Sequence, residues 1–296
     1  MAKLTFTQLI GEVGALIGIT PASGSEEETS IKWAINAAGR RIWTSRPWPE
    51  RFVETTITTV APYSTGTADF TNASASVTGS GTTWTGFAGR KMALGLNAPW
   101  YRILTVGGVT SITLARVYQE TTVTGSTYTI YQDEYDTLST ADSIVSAHLL
   151  YNNSYGPLHI APEGELDADA MVQLTTGRPT VVALTRETTS GTKRLRVTPV
   201  PDSVYAIVVK YLKSYTALSS GGDTSGLNEN QEWLLVQGAL LYAQRIPNAR
   251  QLTGEAEFEA LLARAWKDAA PIAPMTAQRR TFDRAEVSPI TYFRVT

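Results

Sequence analysis

Hydrophobic residues recur at helical spacing near both ends of the chain and at strand-like spacing between them. The first helical pattern consists of Leu9, Val13, Leu16 and Ile17, which repeat every three or four residues. Pro21 follows this pattern and would end such a helix. We therefore expect an amphipathic helix at the start of the chain.

A second helix is predicted after Gly24. Ser25 and Glu28 have the spacing of a capping box, in which each side chain satisfies a free backbone N–H of the first turn. Pro47 and Pro49 come near residue 46 and would stop the helix. The apolar stripe of this helix consists of Ile31, Ile35, Ala38 and Ile42.

The amino-acid composition changes at Phe52. From there Thr, Val, Ile, Tyr and Gly become frequent, and residues typical of turns recur every few positions. Short strands are predicted at 52–60, 74–78, 99–106, 110–117 and 126–131. The pair around Gly107 and Gly108 is typical of a β-hairpin. Five short strands with glycine turns favour a small antiparallel barrel or sandwich, and a barrel would close its own edges.

Strand-forming residues continue to about residue 215, and a Ser/Gly-rich linker follows at 219–226. Two further helices are predicted after it. The first would begin at a cap formed by Asn228, with Gln231 three residues later, and the second would begin after Thr253. A connection containing Pro247 favours an antiparallel pair.

These patterns predict an α+β fold. We expect a helical bundle core formed by the N- and C-terminal helices, with an antiparallel β-barrel or sandwich region inserted between them and an extended C-terminal tail. The predicted domain boundaries are 1–50 with 216–270 for the helical core, 51–135 for the inserted β-barrel, 136–215 for a β-rich segment packing on the core, and 271–296 for the C-terminal arm.

The composition excludes several classes of chemistry. The chain has 296 residues, of which 43% are hydrophobic and 18% charged, so it can bury a core. It has no cysteine, which rules out disulfides, zinc–thiolate sites and a cysteine nucleophile. The net charge of −2 gives no general attraction for nucleic acid. No cofactor and no membrane contact are expected.

Candidate catalytic groups are few. His148 and His159 are the only histidines, and neither has neighbours at metal-site or triad spacing. The acidic cluster Asp133, Glu134 and Asp136 lacks calcium-loop spacing and favours a solvated turn. The stretch 86–91 lacks the glycine spacing of a phosphate loop and indicates a tight turn entering a strand. No enzyme activity is predicted from these residues.

After Pro271 the periodic pattern stops, and the last 26 residues combine arginines with aromatic side chains. Arg, Tyr and Phe are the residue types that anchor protein interfaces. A frayed terminus is the alternative interpretation. The candidate interface residues of this arm are Arg279, Arg280, Phe282, Arg284, Tyr292, Phe293 and Arg294.

Several segments together resemble a known family. The stretches at 69–72, 77–84, 89–91, 101–103 and 128–131 are similar to a small β module that recurs in virus head-tail proteins. Before it, the segments 35–43 and 46–49 resemble the helix and exit that open adaptor proteins bound to the portal. The order of elements along most of the chain therefore resembles that of head-to-tail adaptors, also called head-completion or tail tubular protein A-like proteins.

This resemblance implies a virion protein at the head-tail interface of a tailed bacteriophage, assembled in the host cytoplasm. Such a protein forms a ring, commonly of twelve copies, beneath the portal and links the capsid vertex to the tail. The implied partners are the portal protein, neighbouring copies of itself and a downstream tail or nozzle protein, and double-stranded DNA would pass through the channel. No strongly basic segment identifies residues that face that DNA.

Two other functions are compatible with the sequence. A receptor- or carbohydrate-binding tail protein would use the Thr/Gly-rich β region with Trp84 and Trp100, although aromatic residues there are more often part of a barrel core. A tail-associated hydrolase would need a pair of carboxylates that meet only in space.

Overall fold

Strands form the larger part of the protein. The computed structural model describes residues 3–95, 98–151, 154–166, 176–186, 193–243, 246 and 254–269. Within these residues there are 17 strands, arranged in sheets of seven, four, four and two strands. Four longer α-helices pack together in a separate hydrophobic cluster.

The helices come from the two ends of the chain. They are α1 (Phe6–Ile17), α2 (Glu26–Ser45), α3 (Glu232–Ala243) and α4 (Glu255–Ala269). Helix α3 contacts the other three, and it is buried on most of its circumference because it is apolar on all sides. Trp233, near the start of this helix, is 41% exposed.

Local signals determine where the first two helices begin. The Thr5 hydroxyl accepts a hydrogen bond from the Gln8 N–H, and the Gln8 side chain accepts one from the Thr5 N–H at 2.8 Å. The predicted cap of α2 is also present, since Ser25 Oγ accepts from the Glu28 N–H at 3.1 Å. The Glu28 carboxylate accepts from the Gly24 N–H rather than from Ser25, so the capping box is only half formed.

A central antiparallel sheet has the strand order β1-β17-β10-β11. Its strands are β1 (Phe52–Thr58), β10 (Ala141–Tyr151), β11 (Ser154–Pro157) and β17 (Ala206–Lys213). Polar contacts connect the helical part of the chain to this sheet. The indole of Trp43 donates to the Lys213 carbonyl at 2.8 Å, and the buried Arg51 donates to the Trp43 carbonyl and to Asp142.

A second sheet packs on the first and has the order β12-β14-β15-β9. Its strands are β9 (Glu134–Tyr135), β12 (His159–Ile160), β14 (Val181–Arg186) and β15 (Lys193–Thr198). Leu149 and Val209 of the first sheet share a buried cluster with Leu195 of the second. The two sheets therefore form a β-sandwich with a core of its own. A two-stranded sheet joins β13 (Thr176–Gly177) to β16 (Val200–Pro201).

Residues 67–131 form a seven-stranded antiparallel sheet of order β7-β2-β3-β6-β5-β4-β8. The first four strands along the chain are β2 (Thr67–Phe70), β3 (Ser76–Ser80), β4 (Lys91–Ala93) and β5 (Trp100–Gly108). The remaining three are β6 (Ser111–Leu114), β7 (Val123–Ser126) and β8 (Thr129–Tyr131).

This sheet must curl, because its two edge strands are neighbours in sequence. Strands β7 and β8 lie at opposite ends of the strand order, yet β7 ends at Ser126 and β8 begins at Thr129. The described pairings do not join β7 to β8, so the sheet is a half-barrel with two edges, which differs from both the closed barrel and the sandwich that the sequence favoured. The hairpin predicted around Gly107 and Gly108 is confirmed in β5 and β6.

The chain enters and leaves this sheet at one place. The backbones of Tyr63 and Ile130 form an isolated bridge in which each N–H donates to the other residue's carbonyl at 2.8 Å. The sheet has a separate hydrophobic cluster, which includes Phe70, Trp84 and Met92.

The predicted fold class is wrong: the protein does not have a helical bundle core. It is mainly β, and the helices form one hydrophobic cluster beside the sandwich and the curled sheet. The helical stripes were interpreted correctly as buried surfaces, but periodicity does not show which part of a chain contains most of the core. The strands of 136–215 were expected to cover a helical core, whereas Leu149 and Val209 are fully buried between two sheets.

Candidate interaction surfaces

The arm residues singled out in the sequence lie outside the described part of the chain. Their role at an interface therefore stays a prediction. They are Arg279, Arg280, Phe282, Arg284, Tyr292, Phe293 and Arg294. Asp167 and Asp169, which have the pattern of first-turn helix charges, also lie outside it.

The helix that leads to the arm is held against α2. The Arg41 guanidinium of α2 pairs with both Glu255 and Glu259 of α4, and it lies 5.1 Å from the centre of the Phe258 ring. The same guanidinium lowers the pKa of Glu255 below its ordinary value by hydrogen bonding. Nearer the end of α4, Trp266 packs edge-on against Trp48 with ring centres 5.4 Å apart. Helix α4 is thus held against the rest of the helical cluster along its length.

An aromatic groove lies on the outer side of α2. Trp33 is 50% exposed, and its ring meets that of Tyr242 edge-on at 5.8 Å. With Thr29, Ser30 and Ile246 these residues line a groove of about 400 Å³. An exposed tryptophan in a groove of this size has the chemistry of an interface anchor.

A cluster of buried charges lies where the curled sheet meets the sandwich. Lys91 of β4 donates to Asp133 Oδ2 at 2.6 Å, and its ammonium is 3.3 Å from Glu134. Arg196 of β15 approaches the same Asp133 oxygen at 3.4 Å. Lys91 also lies 4.6 Å from the centre of the Trp100 ring. Each buried charge has an oppositely charged partner, which offsets the cost of burying it. The cluster therefore connects two sheets that have separate hydrophobic cores.

The interpretation of the acidic cluster as a solvated turn is wrong for Asp133 and holds for Asp136. Asp133 is buried, while the Asp136 side chain is 69% exposed and pairs with Arg194. Local sequence could not indicate this difference, because the partner Lys91 lies far away along the chain. Burial also raises the pKa of Tyr135, at the edge of this cluster, to about 12.

Trp84 does not have the exposure that a carbohydrate platform needs. It is fully buried, and its indole donates to the Tyr128 hydroxyl at 2.8 Å. Trp100 is partly buried, with its ring occupied by Lys91 and approached by Arg116 at 6.0 Å. The two residues that motivated a carbohydrate-binding function are therefore parts of the sheet and of the charged cluster.

The remaining candidates are separate in space or have structural roles. His148 is partly buried on β10, and His159 is exposed on β12. The stretch 86–91 is a turn with positive φ at Gly86 and Gly89 that leads into β4, as predicted. Among the described residues, no group of three or more His, Asp or Glu side chains could hold a metal ion. None of the helices in the described residues is long and apolar enough to cross a membrane.

These observations describe a mainly β protein with a cluster of buried charges between two sheets and an aromatic groove beside its helices. Residues 103–286, more than half of the chain, match the SU10 adaptor protein family. The chain belongs to this family, and the resemblance to head-to-tail adaptors is confirmed. It is a structural adaptor protein of a bacteriophage and a component of the virion, in a family that is usually non-enzymatic. No curated protein matches the sequence.

Proposed function

We propose that this adaptor forms a ring beneath the portal, connects the capsid vertex to the tail and surrounds the exit channel for DNA. The family match over residues 103–286 is the observation that carries the proposal, since it assigns the chain to adaptors between phage head and tail components. The partners would be the portal protein, neighbouring copies of the chain, commonly twelve in all, and a downstream tail or nozzle protein. Assembly would take place in the host cytoplasm.

The C-terminal arm is the part proposed to contact the portal. It follows α4, whose position is set by the contacts of Arg41 with Glu255 and Glu259 and by the packing of Trp266 on Trp48. The arm contains four arginines and three aromatic residues among its last 26 residues. Ordering such a segment costs conformational entropy, which contacts with a foreign surface would offset.

Ring formation requires that two different surfaces of each copy meet and that the rotation between copies closes. Trp33 and Tyr242 on one side of the helices supply one aromatic surface suited to such a contact. The proposed DNA passage would be non-specific. The net charge of −2 gives no reason to assign individual residues to the channel wall.

Electron microscopy of the protein mixed with candidate portal proteins tests the proposal. We expect a symmetric ring on the portal in the mixture, and its absence with every candidate portal of the same virus would contradict the proposal. Deleting 272–296 should leave a folded protein that no longer binds the portal. A matched control replaces 272–296 with a Gly/Ser sequence of the same length. Unchanged portal binding by either variant would show that the arm is not the contact.

A further inference from the structure

Strand β1 is a free edge of the central sheet. All seven of its residues are paired with β17, from Phe52 opposite Leu212 to Thr58 opposite Ala206, without a bulge. Within the described residues, no strand pairs with the other side of β1. Unpaired strand edges present rows of backbone groups that pair readily with other chains. The free side of β1 is therefore a surface on which another strand can pair.

The backbone groups of alternate β1 residues point to this free side. The N–H of Thr59, directly after β1, donates to the Tyr205 carbonyl at 2.8 Å, so the odd-numbered residues of β1 are those hydrogen-bonded to β17. The N–H and C=O groups of Glu54, Thr56 and Thr58 point outward. None of these groups has a hydrogen-bond partner in the described part of the chain. The three side chains are exposed as well, so another strand can approach.

The other edges of the three larger sheets are short or protected. Strand β11, at the opposite edge of the central sheet, contains Pro157, which has no N–H to donate. Strands β9 and β12 have two residues each. The outer side of β8 is bridged by Tyr63, and Gly125 in β7 has a positive φ. Strand β1 contains no proline, lysine or bulge, and its one charged residue, Glu54, is already paired with Lys210 of β17 at 3.1 Å.

The sequence of β1 is complementary to itself in an antiparallel pairing. When two copies meet about a two-fold axis at Thr55, all seven residues overlap, and Val53 lies opposite Ile57 of the second copy. Cross-strand pairs of β-branched residues stabilise a sheet. Val53 and Ile57 belong to the hydrophobic cluster of the sandwich, so these pairs extend that core from one copy to the other. On the exposed face Glu54 lies opposite Thr56, and no two carboxylates are directly opposed.

Such a pairing is closed. A two-fold contact uses the same surface on both copies, so both free β1 edges are consumed. The two four-stranded sheets become one continuous sheet, and each end of it is a β11 strand. Pro157 at these ends hinders the addition of a further strand. The product is a dimer rather than an open fibre.

We propose that β1 is a self-association site, at which two free copies of this chain pair antiparallel through the backbones of Glu54, Thr56 and Thr58. Neighbours in a cyclic ring contact each other through two different surfaces, whereas the β1 pair uses one surface twice. The pair therefore belongs to copies that are not yet in a ring.

Cross-linking of the full chain tests the pairing, because the natural sequence has no cysteine. Thr55 of the two copies would form a non-hydrogen-bonded pair with Cα atoms about 4.5 Å apart, within the roughly 4.4–6.8 Å that a disulfide spans. Under mild oxidation Thr55→Cys should become mostly a disulfide-linked dimer. Thr124→Cys, on the exposed edge strand β7, is the control and should stay monomeric. Equal cross-linking of the two variants overturns the proposal.

A proline at Thr56 separates strand pairing from chance collision. Thr56→Pro removes an N–H that points away from β17, so the bonds within the sheet are kept and circular dichroism should show a folded chain. In the Thr55→Cys background this change should abolish the dimer. Thr56→Ser keeps the N–H and should leave cross-linking unchanged. A dimer that persists with Thr56→Pro contradicts pairing through the backbone.

A charge pair provides a test that does not depend on proline being tolerated. Thr56→Glu places a carboxylate opposite Glu54 of the second copy, and Thr56→Lys places an ammonium there. Each dimer contains two such pairs, so the dissociation constant measured by sedimentation equilibrium should be about tenfold higher for Thr56→Glu than for Thr56→Lys. Equal constants, or a wild-type chain that stays monomeric at every concentration, overturn the proposal.

The same variants detect a different occupant of the edge. If the wild-type chain stays monomeric while Thr56→Pro alone abolishes binding to a candidate portal protein, the edge pairs with the portal and the proposal is wrong. The cross-linking and sedimentation measurements use this chain by itself, so their failure would leave the proposed function untouched.

Discussion

Lys91 Nζ and Asp133 Oδ2 lie 2.6 Å apart, both side chains are buried, and the pair joins the curled sheet to the sandwich. Each charge has a second contact, since Lys91 lies against the Trp100 ring and Asp133 against Arg196. The pair therefore helps to fix two separately packed cores relative to each other, beside a small apolar cluster of Ala93, Tyr131 and Val200.

Removing one partner should be costly. Asp133→Ala leaves Lys91 buried without its nearest counter-charge, and breaking a buried pair in this way costs about 3–5 kcal/mol of unfolding free energy. Denaturant unfolding measures this loss. Asp136→Ala is the control, because Asp136 is exposed and its pairing with Arg194 contributes only about 0–1 kcal/mol. Equal losses for the two variants would contradict the role given to the buried pair.

A methyl group at Gly39 should destabilise the helical cluster. A Cβ there would lie 2.9 Å from two ring carbons of Tyr215 and closer still to its hydroxyl oxygen. Tyr215 cannot retreat freely, because its hydroxyl donates to Asn36 Oδ1 at 3.0 Å. We expect Gly39→Ala to lower the unfolding free energy by about 1–3 kcal/mol, as overpacking usually does.

Gly11→Ala is the matched change in an open position. Gly11 is an exposed residue of α1, and a Cβ added there would meet nothing within 4 Å, so only helix propensity applies. Alanine should stabilise the chain by about 0.5–1 kcal/mol there. The Tm values of Gly39→Ala and Gly11→Ala are measured by thermal unfolding. A change of both values in the same direction would contradict the steric argument.

Stability should fall in alkaline solution. Burial raises the pKa of Tyr128, Tyr135 and Tyr215 to about 12 in each case, whereas an unfolded tyrosine titrates near 10. The folded state thus holds these protons more tightly. The stabilisation is complete below pH 10 and is lost as pH rises from 10 through 12, on the order of 1–3 kcal/mol per tyrosine. The urea concentration at the midpoint of unfolding, measured between pH 8 and 11.5, reports this loss. Its decrease with rising pH should be smaller in Tyr135→Phe.

The curled sheet is proposed to be a unit that the helices do not need. Tyr63 and Ile130 pair at its base, so the ends of a deletion of 66–131 lie close together and a short linker can join them. Asp133 keeps Arg196 as a partner after Lys91 is removed. Circular dichroism should show that helical unfolding stays cooperative in this variant. Its complete loss would contradict the proposed boundaries.

Local signals in the sequence predicted the elements better than their arrangement. Ser25 caps α2, the hairpin at Gly107 and Gly108 is present, and the strands around 52–60 and 99–117 occur near their predicted bounds. These features depend on residues a few positions apart. Two short strands of the curled sheet, β2 and β7, were not predicted, because four residues give too little alternation to recognise.

The errors came from contacts between distant residues. Asn228 was expected to cap a helix, but its side-chain amide donates to Glu50, 178 residues earlier. Asp133 was placed in solvent because Lys91 and Arg196 could not be seen beside it. The helical core was overestimated for a related reason. Apolar stripes show that a surface is buried without showing how much core the strands form between themselves.

The edges of the curled sheet are short. Strand β7 has four residues and β8 has three, and Gly125 in β7 has a positive φ that disturbs its extended path. A long, flat edge would offer a row of free N–H and C=O groups to any copy beside it. The proposed ring would place identical chains side by side, where such a row would promote aggregation. Because the edges are short and bent, contacts of this sheet with neighbouring proteins depend on side chains rather than on backbone pairing between strands.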